Sequence, residues 1–430
     1  MSFRVAALPI SARPGLAFRL MTQNPPKETR ILNSAVLIGA LGYFVDIYDL
    51  LIFSIVRVPS LKSLGTAPED LMHVGMQLMD LQMMGLLLGG LIWGILGDKR
   101  GRVSVLYGSI LLYSLANLAN AFVQDTTAYG ALRFIGGIGL AGELGAAITL
   151  VSEVMTKETR GFGTAIVAGI GILGAVFAAL VGDFFDWRTA FAVGGIMGLG
   201  LLALRVKTLD SQVFQQSRGQ SDVRHGDFFL IFRNRERFKR YLACILVGLP
   251  IWYVIGLLIT FSPELSKHLG VEGEVSGGRA ILWAYTGGFA GDLTAGLLSQ
   301  WWKSRKKSLA TFLVLTVALS LFYCTRSGMS LEGFYALCCA LGFTTGYWAV
   351  FVTNASEQFG TNLRATVATT VPNFVRGSVV LNTFSYKALS ASYGALPSAL
   401  MVGAGSLTLA FIGLATLREP YGKDLDFVER

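Results

Sequence analysis

Residues 152–161 read SEVMTKETRG, and residues 356–365 read SEQFGTNLRA. Both open on Ser-Glu and carry an arginine seven residues past the glutamate, Glu153 with Arg160 and Glu357 with Arg364. The copies lie 204 residues apart. A weaker pair recurs at an offset of 202: GILGDKRGR at 94–102 and GLLSQWWKSRKK at 296–307. The leading glycine and trailing basic residues survive there, while Gln300 stands in place of Asp98. Two matches at nearly equal offset indicate a unit built twice.

The repeated unit is membranous. Of 430 residues, 53% are hydrophobic and 15% charged, where a soluble domain carries about 25% charged residues. Mean hydropathy is +0.56. A helix needs about 20 apolar residues to cross the hydrocarbon core. Segments of this kind are expected at 31–57, 72–97, 103–122, 128–153, 160–182, 187–206, 240–262, 279–301, 308–325, 331–354, 364–387 and 395–417. They are too long and too uniformly apolar for the alternating strands of a barrel. The longest polar stretch, 207–239, divides them six and six. The expected organisation is a tail at 1–30, a six-helix bundle at 31–206, a linker at 207–239, a second bundle at 240–417 and a tail at 418–430.

The formal net charge of +9 raises the question of nucleic acid, and its distribution answers it. With both ends placed in the cytoplasm, 27 of the 36 Lys and Arg fall on the inner side. Seven fall outside: Arg57, Lys62, Arg188, Lys267, Arg279, Arg326 and Lys387. Arg133 and Arg376 lie within spans. That asymmetry is the positive-inside rule, so the basic excess orients the chain in a cytoplasmic membrane and no nucleic-acid partner is expected. Cys244, Cys324, Cys338 and Cys339 sit in apolar segments without ligand spacing, which suits packing. His73, His225 and His268 are scattered, so no metal set is expected. The first twenty residues make a poor signal peptide, and Met21 opens an ordinary polar tail that suits a natural start.

Several motifs point to one family. GILGDKRGR resembles the signature between the second and third helices of the major facilitator superfamily, and RFIGGIGLAGELGAA (133–147) resembles its fourth-helix signature. The Gly-Glu-x-Gly-Ala form and the Tyr-Asp at 48–49 are similar to metabolite:proton symporters and sugar porters. The resemblance covers the chain in architecture and about 40 residues in motif. It implies an all-α membrane protein of twelve transmembrane helices in two pseudo-symmetric six-helix bundles, working by alternating access. It also implies a cytoplasmic gate of Gly94, Asp98, Arg102, Glu153, Arg160, Glu357 and Arg364. Asp98 can accept from a helix N-terminus. Arg102 and Lys99 can bridge to Glu153, with Glu357 and Arg364 as the equivalent set. Such latches hold the outward-facing state and break for inward opening. The fifth helix lacks the Gly-Pro pair of many drug:proton antiporters, which counts against export.

Charges inside the spans are the functional candidates, since each costs on the order of 2.5–3.5 kcal/mol at mid-bilayer. Asp46 and Asp49 share a face of the first helix at spacing i, i+3. Two carboxylates that close repel, which suits one to bind and release a proton. Asp49 is favoured because it completes the Tyr-Asp resemblance, and in related sugar porters an acid–arginine pair at these positions is implicated in proton coupling, which gives Arg133 its role. The plainer alternatives are a helix cap and a static ion pair. Glu143 is a further proton carrier, a partner for Arg376, or a neutral buried acid. Arg376, with Asn373 one turn earlier, offers a forked cation to a carboxylate or phosphate, or neutralises an acid. Asp292 and Tyr285 share a face of the eighth helix. The mid-span pairs Trp252/Tyr253 and Tyr347/Trp348 can line a cavity or simply pack. Asp80 can line the cavity or brace a helix contact.

The function expected from these residues is proton-coupled symport of a small organic anion by a monomer in the lipid bilayer, with protons as the coupling ion and no other cofactor. A uniporter, or an efflux pump for a different small molecule or lysolipid, would use the same scaffold. No catalytic constellation marks an enzyme.

Overall fold

The computed structural model describes residues 34–100, 102–143, 160–209, 230–422 and 429. Its helices in the first half are α1 (Ser34–Ser63), α2 (Leu71–Arg100), α3 (Arg102–Asn120), α4 (Thr126–Leu140), α5 (Arg160–Phe184) and α6 (Trp187–Leu209). The second half holds α7 (Leu230–Arg233), α8 (Arg235–Tyr253), α9 (Ser262–His268), α10 (Gly277–Trp301), α11 (Arg305–Thr325), α12 (Leu331–Thr345), α13 (Trp348–Glu357), α14 (Thr361–Gly377), α15 (Val379–Tyr393) and α16 (Ala395–Thr416). Apart from the one-turn α7, these described helices group into twelve crossings, because α8 runs through a π-helical turn (Val254–Ile259) toward α9, α12 continues into α13, and α14 into α15. Among the described residues, seven stretches are long and apolar enough to span a membrane on their own.

Polar side chains set where many helices start. Asp125 accepts from the Ala128 N–H at 2.8 Å ahead of α4, and Asp186 accepts from Arg188 and Thr189 at 2.8 and 2.9 Å ahead of α6. Asn234, Ser276, Ser304 and Ser330 do the same for α8, α10, α11 and α12. Each satisfies an N–H the helix leaves unpaired. The breaks inside spans have local causes. Pro250 lies in α8 and Pro263 opens α9, so the seventh crossing loosens into π geometry between them. Both α6 and α8 run into the stretch expected as linker, and residues 210–229 lie outside the described residues.

The two halves repeat one packing scheme. α1 packs on α5 and α6, α2 on α4, and α3 on α6; correspondingly α8 packs on α14 and α16, α10 on α12, and α11 on α16. The repeat descends to single glycines. A Cβ at Gly85, Gly89 or Gly137 would strike the carbonyls of Phe134, Ile138 or Gln82 across the α2–α4 contact. A Cβ at Gly287, Gly291 or Gly342 would strike Cys339, Phe343 or Ala284 across α10–α12. Only a residue without a side chain lets the two backbones touch. The halves meet along α2 against α14 and α15, and along α10 against α5 and α1. We call the end carrying the linker the linker end and the opposite one the far end.

Gly342→Val should therefore force α10 and α12 apart, at a cost on the order of 1–3 kcal/mol or more. Gly296→Ala, on the same α10 but with nothing within 4 Å of its added methyl, should be neutral. Thermal unfolding of purified protein in detergent distinguishes the two; equal stability of both variants would contradict the packing.

Candidate functional site

A cavity of about 660 Å³, counted with its open mouth, lies between the halves. Its wall includes Tyr43 of α1, Trp252 of α8, Tyr285 and Asp292 of α10, Trp348 at the start of α13 and Arg376 of α14. Four aromatics, one acid and one guanidinium thus line a single space. Trp348 reaches it because the tenth crossing breaks at Gly346–Tyr347, and Asp292 caps the new helix by accepting from the Ala349 N–H at 2.9 Å.

Arg376 is 1% exposed. Its Nη2 donates to Asp46 Oδ2 at 3.0 Å, so an ion pair crosses from one half to the other at the cavity wall. The guanidinium carbon lies 5.9 Å from the Trp348 ring centroid. Arg376 Nε and Nη1 and Asp46 Oδ1 have no hydrogen-bond partner. The pair is half satisfied on both sides.

The two first-helix aspartates diverge. Successive steps of 100° put i and i+3 about 60° apart, and that rotation sends Asp46 to the interface and Asp49 into the first bundle. Asp49 lies against Gly194 of α6, is fully buried, and neither carboxylate oxygen has a hydrogen-bond partner. It is not on the cavity wall. The expected Asp49–Arg133 ion pair is not formed. Arg133 instead donates to Gln82 and is flanked by the Phe53 and Phe191 rings at 5.2 and 5.3 Å.

Glu143 does not meet Arg376. It takes both Nη groups of Arg205, on α6, at 3.0 and 2.5 Å. Arg205 is 2% exposed, although its place near the linker marks it in sequence as a loop charge. Asn373 does not line the cavity; its Nδ2 donates to the Ala141 carbonyl of the other half at 3.1 Å. Tyr347 is also absent from the cavity wall, with its hydroxyl on the Val247 carbonyl at 3.1 Å and its ring beside Phe312. Tyr253 turns away to pack on Gly403.

Further pairs close the far end. Arg57 donates to both Glu264 oxygens at 2.7 Å, is fully buried, and stacks over Phe261 at 4.6 Å. Asp80 accepts from Thr383 at 2.5 Å and from Lys387 at 3.1 Å, and Asp183 faces Arg279 at 3.7 Å. Each joins the first half to the second. Arg57, Glu264 and Lys387 carry no signal in sequence that separates them from ordinary charges at a span's end.

At the linker end, Glu153 lies outside the described residues, as do the surroundings of Gly94 and the side chains of Asp98, Arg102 and Arg160. Glu357 pairs not with Arg364 but with Arg305, at 3.2 Å through both oxygens. Arg364 reaches the Phe359 carbonyl at 3.5 Å. Arg305 belongs to the repeated basic stretch 303–307, so the second half joins its two repeated motifs to each other. Next to them Glu419 accepts from Ser304 and from the Arg305, Lys306 and Tyr421 N–H groups at 2.9, 3.1 and 3.1 Å. Partial burial opposes its charge, but these hydrogen bonds prevail and hold its carboxyl below the usual glutamate value.

The sequence model described as Major Facilitator Superfamily matches residues 39–381, most of the chain. This chain belongs to the Major Facilitator Superfamily. The relatives of this facilitator are transporters by name. The putative niacin/nicotinamide transporter NiaP of Bacillus subtilis is 24% identical over 383 residues, covering 86% of this chain and 92% of that one. The 3-(3-hydroxy-phenyl)propionate transporter of Escherichia coli is 29% identical over 293 residues, covering 66% and 69%. The solved structure of the proton:xylose symporter XylE superposes with a TM-score of 0.66 at 17% identity, covering 91% of this chain and 97% of that one. The facilitator is a transporter and not an enzyme, an integral membrane protein whose cavity lies where its two halves meet.

Two outcomes follow. Removing one partner of the Glu143–Arg205 pair strands a buried charge, so Glu143→Gln or Arg205→Met alone should cost about 3–5 kcal/mol, and the double variant should recover most of it. Unfolding in detergent measures this, and additive losses would exclude the pairing. Glu419 stabilises the fold fully above its ordinary value of 4.5, and that contribution is lost as pH falls through the lower value held in the fold. The gap in unfolding temperature between the parent and Glu419→Gln should thus be open at neutral pH and close below about 4.5; a gap independent of pH would remove Glu419 from the clamp.

Proposed function

We propose that this facilitator carries a small aromatic carboxylate across a cytoplasmic membrane by proton-coupled symport. The observation that carries this is Arg376: a permanently charged fork in an aromatic-walled cavity, tied to Asp46 through one nitrogen, with Nε and Nη1 unpartnered. A carboxylate accepts two parallel N–H bonds from such a fork. Trp252, Tyr285 and Trp348 offer faces for a ring. The aromatic acid in the name of the Escherichia coli relative, and the proton symport in the name of XylE, support the same reading.

In this mechanism Asp46 is the coupling acid. Deprotonated, it holds Arg376 across the interface. A proton removes its charge, releases the guanidinium to the substrate carboxylate, and unties the halves. Proton and anion then move together, and the inward-negative potential does not oppose the neutral sum. Positive-inside bias puts the linker end in the cytoplasm, so the ion pairs at the far end hold the outer side closed. A second reading gives the proton to Asp49, a buried carboxylate of the same helix with no hydrogen-bond partner on either oxygen.

Proteoliposomes with an imposed proton gradient test this. Labelled benzoate should accumulate, and a protonophore should abolish accumulation. Arg376→Ala should lower affinity about 10–100-fold, the worth of a charge-assisted hydrogen bond or two. Asp46→Asn should keep benzoate exchange and lose gradient-driven accumulation, whereas Asp49→Asn doing so would favour the second reading. Uptake indifferent to the protonophore would make the protein a uniporter, and unchanged affinity in Arg376→Ala would move the binding site elsewhere.

A further inference from the structure

We infer that Asp292 gives the substrate cavity a second pole, so that it selects aromatic carboxylates bearing a hydrogen-bond donor on the ring. This rests on the reading that Arg376 receives the carboxylate. Asp292 lies on the same cavity wall as Arg376 but does not pair with it, since the arginine is held by Asp46. The acid makes one hydrogen bond, from the Ala349 N–H to Oδ1. That contact caps α13 and fixes the side chain's direction. Oδ2 has no protein partner, and Asp292 lines the cavity among aromatic walls.

The selection works through a penalty. With water in the cavity, Oδ2 is hydrated. A ligand small enough to fit and flat enough to stack on Trp252, Tyr285 or Trp348 displaces that water. If the ring edge facing Asp292 is apolar, a buried carboxylate oxygen is left without a partner, which is costly in low dielectric. If the edge carries a hydroxyl or N–H, the lost hydrogen bond is replaced by a charge-assisted one. A site of this kind rejects the analogue that lacks the donor more sharply than an apolar pocket rejects an added group. The capping role accounts for Oδ1 and leaves Oδ2 without a protein partner on a residue of the cavity wall.

The test uses the intact protein and five acids: benzoate, meta- and para-hydroxybenzoate, and the methyl ethers of the last two. The ethers keep the ring oxygen and remove the donor. The parent should bind at least one hydroxybenzoate about tenfold or more tightly than its ether and than benzoate, by competition against labelled uptake or by calorimetry. Asp292→Asn retains the Oδ1 cap and replaces the free acceptor with an NH2 donor. Its preference for hydroxyl over ether should fall to about onefold or invert. Asp292→Ala loses the cap as well and controls for a structural role. If all five acids bind the parent alike, or if Asp292→Asn weakens all five by one factor, Asp292 is a cap and the inference is overturned while the anion site stands. If none of the five binds the parent, both readings fall together.

Discussion

A guanidinium buried among membrane-spanning helices must be answered by an anion, and for Arg376 the answer comes from the other half of the molecule. Arg376 of the eleventh crossing lines the cavity and meets Asp46 of the first at 3.0 Å. Neither half satisfies its own charge there. Desolvation makes each costly alone, and that cost couples the two bundles at the place where a ligand would sit. The pair is also incomplete, because one acceptor and two donor nitrogens remain free. An interaction that is both necessary and half finished is one a ligand or a proton can take over.

The other buried charges divide by what they join. Glu143 and Arg205 lie within one bundle and hold it together in any conformation. Arg57–Glu264 and Asp80–Lys387 cross between bundles, so they belong to one arrangement of the halves and must part in another. The glycine contacts bind the helices within each half closely. Where α2 touches α4, and α10 touches α12, backbone meets backbone with no side chain to yield. Packing that close is either kept or lost, and rigid bundles leave the interface as the place to move.

Much of this was legible before any coordinates. The apolar runs, the duplication at offsets near 204 and the two signatures led to twelve spans and to the family. The intramembrane acids and arginines were legible as exceptions to apolarity, and Arg376, Trp252, Tyr285, Trp348 and Asp292 do line one cavity. Their partners were not legible. Asp46 and Asp49 differ by a rotation of about 60°, and the sequence favoured the one that does not meet Arg376. Arg57, Arg205 and Lys387 read as charges at span ends, because a linear pattern does not say whether a helix end is wet or covered by its neighbour. Tyr347 and Trp348 read as a pair, yet a helix break turned one into the core and the other onto the cavity.

The sequence by itself determined the number of crossings, their duplication and which residues would be too costly to leave unanswered in lipid. Those are local consequences: a backbone in hydrocarbon must satisfy itself along its own length, and a charge there is expensive wherever its partner is. Only the tertiary structure decided who answers whom: Asp46 for Arg376, Arg205 for Glu143, Glu264 for Arg57 and Arg305 for Glu357. A partner is chosen by the rotation and register of two helices to within a few ångströms, and that geometry is a property of the packed bundle, which no single segment contains.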